Sequence, residues 1–104
     1  MEWFSCTYLN SDVVLTDERE QHIAVRHPDL LPVYRHTIAA TLFDPDQVRQ
    51  SKRISNALFF SRWFDEVRNG KFVVVIVITD GRNWIVTAYI ARALAEGEVL
   101  WTRN

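Results

Sequence analysis

The chain has 104 residues, 48% of them hydrophobic, which is enough for one domain with a real core over residues 1–104. Twelve Lys and Arg against thirteen Asp and Glu give a net charge of -1, which excludes coating of nucleic acid by bulk charge but leaves room for a local basic groove. A lone cysteine, Cys6, excludes an internal disulfide, no basic start followed by an apolar run marks a signal peptide, and the run Phe72 to Ile78 is far too short to span a bilayer, so a soluble cytoplasmic domain is expected.

Residues 1–12 mix Trp3, Phe4 and Tyr8 with polar side chains and set no clear period. Val13 to Leu15 reads as a short strand or an extended lead into the first helix. That helix starts at Asp17, with Glu20 three residues on as a capping-box partner, and stops before Pro28, which disfavours the helical region at His27. A second helix is expected from about Leu31 to Phe43, with Pro32 in its first turn and Leu31, Tyr34, Ile38 and Leu42 at helical spacing. Asp44-Pro45-Asp46 ends it.

From Gln47 the period changes to two. Strands are expected over Gln47–Arg53, Ala57–Phe64, Lys71–Thr79, Trp84–Ala91 and Val99–Trp101, with Asn69-Gly70 and Asp80-Gly81 as tight-turn signals. Phe72 to Ile78 is apolar on both faces and belongs at the centre of the sheet. The expected fold is α+β: two N-terminal helices packed on one face of a four- or five-stranded antiparallel meander. In the strand from Trp84, alternation sets Trp84, Val86, Ala88 and Ile90 against Ile85, Thr87 and Tyr89. In Ala57–Phe64 both alternating sets are rich in aromatics, so the pattern does not decide which is inside.

The first helix carries the chemistry-bearing residues. At about 100° per residue, His22, Arg26, Arg19, Ile23 and His27 fall within an arc of roughly 140°, so titratable and cationic groups flank a single Ile where a core stripe belongs. Such a face looks at water or at a ligand. The bland readings are a His22 that only hydrogen-bonds a neighbouring strand, and a His27 that only caps the negative end of the helix. Arg49, Lys52 and Arg53 read equally as an RNA contact or as a charged edge that blocks aggregation. His22 and His27 lack the spacing of a zinc helix and the glycines are turn glycines, so neither a metal nor a nucleotide cofactor is expected.

Leu15-Thr-Asp-Glu-Arg19 with His22-Ile23 and Arg26-His27-Pro28 resembles the opening motif of a phage-type family of small nucleases in the barnase, EndoU, colicin and RelE-like superfamily. Further matches follow in order to Trp101: Asp44-Pro45-Asp46, the aromatic strand with Arg62, the strand starting at Lys71, Thr87-Ala88-Tyr89, and Gly97-Glu98-Val99-Leu100-Trp101. The chain departs at Ile78, where a charged residue is expected in relatives, and Arg62 or Arg49 is then the substitute. The resemblance implies a barnase/RelE-like fold and metal-independent cleavage of RNA (tRNA or ribosome-associated mRNA). It also implies a toxin-like role with an antitoxin or immunity protein, and His22, Arg26, His27, Arg62, Thr87 and Tyr89 as site residues. Histidine suits both proton transfers of such a reaction, since its ordinary pKa of about 6.5 lies near working pH. A non-catalytic protein-binding module is the alternative, because an excess of aromatics also marks interfaces.

Overall fold

In the computed structural model, which describes residues 1–94 and 96–103, strands β1 (Glu2–Cys6) and β2 (Ser11–Leu15) come first. They are followed by helices α1 (Asp17–Arg26) and α2 (Arg35–Phe43), and then by β3 (Gln47–Gln50), β4 (Ala57–Phe64), β5 (Lys71–Thr79), β6 (Asn83–Ala91) and β7 (Glu98–Thr102). The seven strands form one mixed sheet in the order β1-β2-β6-β5-β4-β3-β7. All pairs are antiparallel except β2 with β6, which meet in parallel at Val14 and Trp84.

This corrects the expected four- or five-stranded antiparallel sheet behind two N-terminal helices. The first fifteen residues form a hairpin before either helix. Phe4 and Cys6 on β1 and Val13 and Leu15 on β2 point into the core, while Trp3 on the same strand stays 59% exposed. That exposed indole beside Phe4 hides the alternation in the sequence. Asn10, at φ 52, makes the turn, with its N–H on the Thr7 carbonyl at 3.0 Å. The last strand likewise does not continue the meander beside β6 but crosses to the far edge and pairs with β3.

Two helix boundaries also move. Thr16, not Asp17, caps α1: its hydroxyl accepts the Arg19 N–H at 3.2 Å, and its carbonyl takes the first helical bond from Glu20. With Thr16 as cap, the third helical position holds Arg19, so no capping box closes. Helix α2 begins at Arg35 rather than near Leu31, because Leu30 and Leu31 turn into the core first. The apolar stripe itself is real, since Leu31, Ile38 and Leu42 are buried together.

Both helices lie on one side of the sheet. There Val73, Val75 and Val77 of β5, Ile85 and Ala88 of β6, and Leu58 and Phe60 of β4 join Ile23, Ile38 and Leu42 in one core. Each fully buried aliphatic or Phe side chain stabilises the fold by about 1.5–3 kcal/mol. β5 is the central strand of the seven.

Simple alternation fails in β6 because a bulge intervenes: Ile76 pairs with Thr87 but Val77 with Ile85, leaving Val86 as the extra residue. Ile85 therefore faces the core with Ala88, and Trp84, Thr87 and Tyr89 share the face opposite the helices. On that face two rows run across the strands, Thr87–Ile76–Phe59–Arg49 and Tyr89–Val74–Ser61–Gln47.

Candidate functional site

Helix α1 lies along β6 with Arg19, Ile23 and His27, spaced by four, turned towards it. Arg19 Nη1 donates to the Val86 carbonyl at 3.3 Å, which occupies an acceptor at the bulge, while Nε and Nη2 hold the Glu18 carboxylate at 3.1 and 2.8 Å. Ile23 is the one buried residue of the helix.

One turn on, the His27 ring meets the Tyr89 ring, with centroids 6.0 Å apart and planes inclined by 37°. The His27 backbone is pinned from both sides. Its N–H donates to the Ile23 carbonyl at 2.7 Å, and its own carbonyl accepts from Leu30 and Leu31 at 3.0 and 3.3 Å. Pro28 thus stops the helix where the imidazole reaches the sheet.

Two residues before Tyr89 on the same face, Thr87 carries the one buried side-chain polar atom that lacks a hydrogen-bond partner among the described residues, its Oγ1. An unpaired buried hydroxyl costs about 1–3 kcal/mol and calls for an explanation. Half-buried Tyr89 has its phenol pKa pushed up by desolvation, so it stays a proton donor well above neutral pH.

His22 and Arg26 lie on the adjoining flank of α1. With Glu18, Gln21 and Val25 they border a shallow depression of about 320 Å³. Neither side chain has a hydrogen-bond or ion-pair partner among the described residues, and Arg26, in the last turn, suits the negative end of the helix.

The remaining expected residues lie apart from this group. Arg62 is on the helix side of β4, where its Nη1 donates to the Asp44 and Ala40 carbonyls at 3.1 and 3.5 Å and its guanidinium stands 5.3 Å over the Phe64 ring. It ties down the C-terminus of α2, and the sheet separates it from Thr87 and Tyr89. Arg49 shares the row of Thr87 but lies three strands away, with Nε on Gln47 Oε1 at 2.6 Å. Lys52 approaches Glu96 at 3.9 Å, and Arg53 is exposed in the β3–β4 loop.

Arg19, which the sequence places in the polar arc without a site role, is the residue that joins α1 to the β6 bulge; its i, i+4, i+8 relation to Ile23 and His27 was the available signal. Among the described residues no three His, Cys, Asp or Glu side chains gather as a metal site, and no helix is long and apolar enough to cross a membrane. No protein-family model matches the chain, and no curated protein or solved structure gives a significant match to it.

Proposed function

We propose that the protein is a metal-independent endoribonuclease, a toxin or phage-associated effector, working where α1 ends against β6. The observation that carries this reading is one group: an imidazole against a phenol at 6.0 Å, and beside them the buried, unpartnered hydroxyl of Thr87. A hydroxyl that lacks a partner in the free protein is explained if a ligand supplies one.

RNA brings its own nucleophile. The 2′-hydroxyl gives its proton to an imidazole, its oxygen forms a bond to the adjacent phosphorus, and the bond from phosphorus to the 5′-oxygen breaks. The departing oxygen takes a proton from the second imidazole. The products are a 2′,3′-cyclic phosphate and a 5′-hydroxyl. His22 and His27 divide the two proton transfers, Thr87 and Tyr89 donate to the phosphate oxygens, and Arg26 offsets the charge that builds in the transition state. Arg49, Lys52 and Arg53 follow the strand away from the cut, and Arg62 stays with α2. An antitoxin or immunity protein would act by covering the α1–β6 seam.

The test is cleavage of a mixed RNA pool, tRNA included, in excess EDTA by wild type, His22→Ala and His27→Ala. Wild type should leave cyclic-phosphate ends, and each variant, with an unchanged circular-dichroism spectrum, should be slower by about 10²–10⁴-fold. Intact RNA from the folded wild type, with and without ribosomes, would sink the reading. It would favour a non-catalytic protein-binding module, for which the apolar row Trp3–Val14–Trp84–Ile78 across four strands is the supporting observation.

A further inference from the structure

A concavity of about 480 Å³ lies not at the seam itself but at the end of β6. Arg68 and Asn69 from the β4–β5 turn, Lys71 at the start of β5, Ala91 at the end of β6, Arg92 just after it, and Asp29 from beyond α1 border it. Three cations face one carboxylate there, in a chain whose net charge is -1.

Two of the cations belong to a strained turn, Arg68 within it and Lys71 directly after it. Arg68, Asn69 and Gly70 have φ of 48°, 66° and 96°, three left-handed residues in succession. For a residue with a Cβ this costs about 1–2 kcal/mol, and such strain persists where the surroundings over-determine it. The surroundings here are plain: a Cβ on Gly70 would lie 2.6 Å from the Trp63 ring, and the Gly70 N–H donates to the Val67 carbonyl at 2.9 Å.

The turn aims its carbonyls at Lys71, whose Nζ donates to Arg68 at 2.9 Å and to Gly70 at 3.1 Å. An ammonium has three donors, so one is left for a ligand. Arg68 Nη1 is held by the Asp29 carboxylate at 3.2 Å. The Arg92 guanidinium has no hydrogen-bond or ion-pair partner among the described residues.

The pocket also continues the seam along both of its walls. Asp29 is two residues past His27, and Ala91 is two residues past Tyr89, a step of about 6.6 Å along a strand.

We propose that this pocket binds a phosphate of the RNA strand next to the one at the His27–Tyr89 seam, with Arg92 and Lys71 as its contacts. That placement rests on the nuclease reading above. Arg92 binds the strand and takes no part in the chemistry, so its loss should raise KM several-fold at constant kcat.

The experiment titrates a short 2′-O-methyl RNA, which lacks the nucleophile, into wild type, Arg92→Ala and Arg92→Lys over a range of salt, with cleavage of ordinary RNA measured in parallel. Removing one phosphate contact from a single strand should make the slope of log K against log [salt] shallower by about 0.7 for Arg92→Ala. Arg92→Lys, which keeps the charge, should restore it. Equal slopes for wild type and Arg92→Ala, or no binding by either, would overturn the pocket, and His27-dependent cleavage would then leave the seam standing alone. A slope difference without any cleavage would uphold a phosphate site and remove the nuclease reading instead.

Discussion

Side chains that look alike in the sequence have different tasks in the fold. Arg62 holds the last carbonyls of α2, Arg19 covers a carbonyl at the β6 bulge, and Arg26 is left without a partner among the described residues. Tyr89 offers a direct reading of its own environment. Burial raises its phenol pKa above the ordinary value near 10, so the native state holds the proton more tightly than the unfolded chain. The stabilisation is therefore complete below about pH 10 and is lost as pH rises through the native value. In urea titrations from about pH 8 to about pH 11, wild type should lose stability faster than Tyr89→Phe at the alkaline end. Parallel curves would mean the phenol is as well solvated as in the unfolded chain. The candidate residues of α1 were legible because four polar groups around one Ile break a core stripe. The separation of Arg62 was not, since Leu58–Phe64 and Ala57–Trp63 are both aromatic-rich and only the neighbouring helix decides between them.

Elements were legible wherever a strong period met a strong turn. β4 and β5 lie where alternation and the Asn69-Gly70 signal place them. The bulge in β6 was not legible, because inserting Val86 swaps Ile85 onto the core face without changing the composition of the strand. At the start of α1 the competition was between Thr16 and Asp17, adjacent residues that both cap well. The Thr16 hydroxyl has the bond, so Thr16→Ala should cost about 1 kcal/mol and Thr16→Ser very little. Urea denaturation should show the loss as a lower midpoint at constant m-value. An unchanged midpoint would mean that Asp17 takes over the cap.

At the scale of the whole molecule the N-terminal hairpin is part of the core rather than an addition to it. Phe4, Cys6, Val13 and Leu15 pack with residues of both helices and of β4, β5 and β6. Burial also pushes the Cys6 thiol pKa up, which keeps it protonated and unreactive. Phe4→Ala should therefore cost about 3–5 kcal/mol, a large share of the 5–15 kcal/mol typical of a whole domain. A thermal melt checks this. A loss below about 1 kcal/mol, the range of surface changes and small trims, would show that the helices and β3–β7 stand without the hairpin.

The sequence by itself determined the local periods: where the long strands run, where the turns fall, that α1 presents an uncommonly polar face and that β5 is central. Those features depend on neighbours a few residues apart, whose spacing is written in the chain. Tertiary structure alone decided the rest. The parallel meeting of β2 with β6 joins Val14 to Trp84, and the return of β7 joins Trp101 to Val48, both across more than fifty residues. The packing of α1 along β6 then brought His27 to Tyr89, two residues from Thr87, while α2 held Arg62 on the helix side of the sheet, away from both. Such pairings are settled by which apolar surfaces can be buried together, a property of the assembled chain that no local pattern contains.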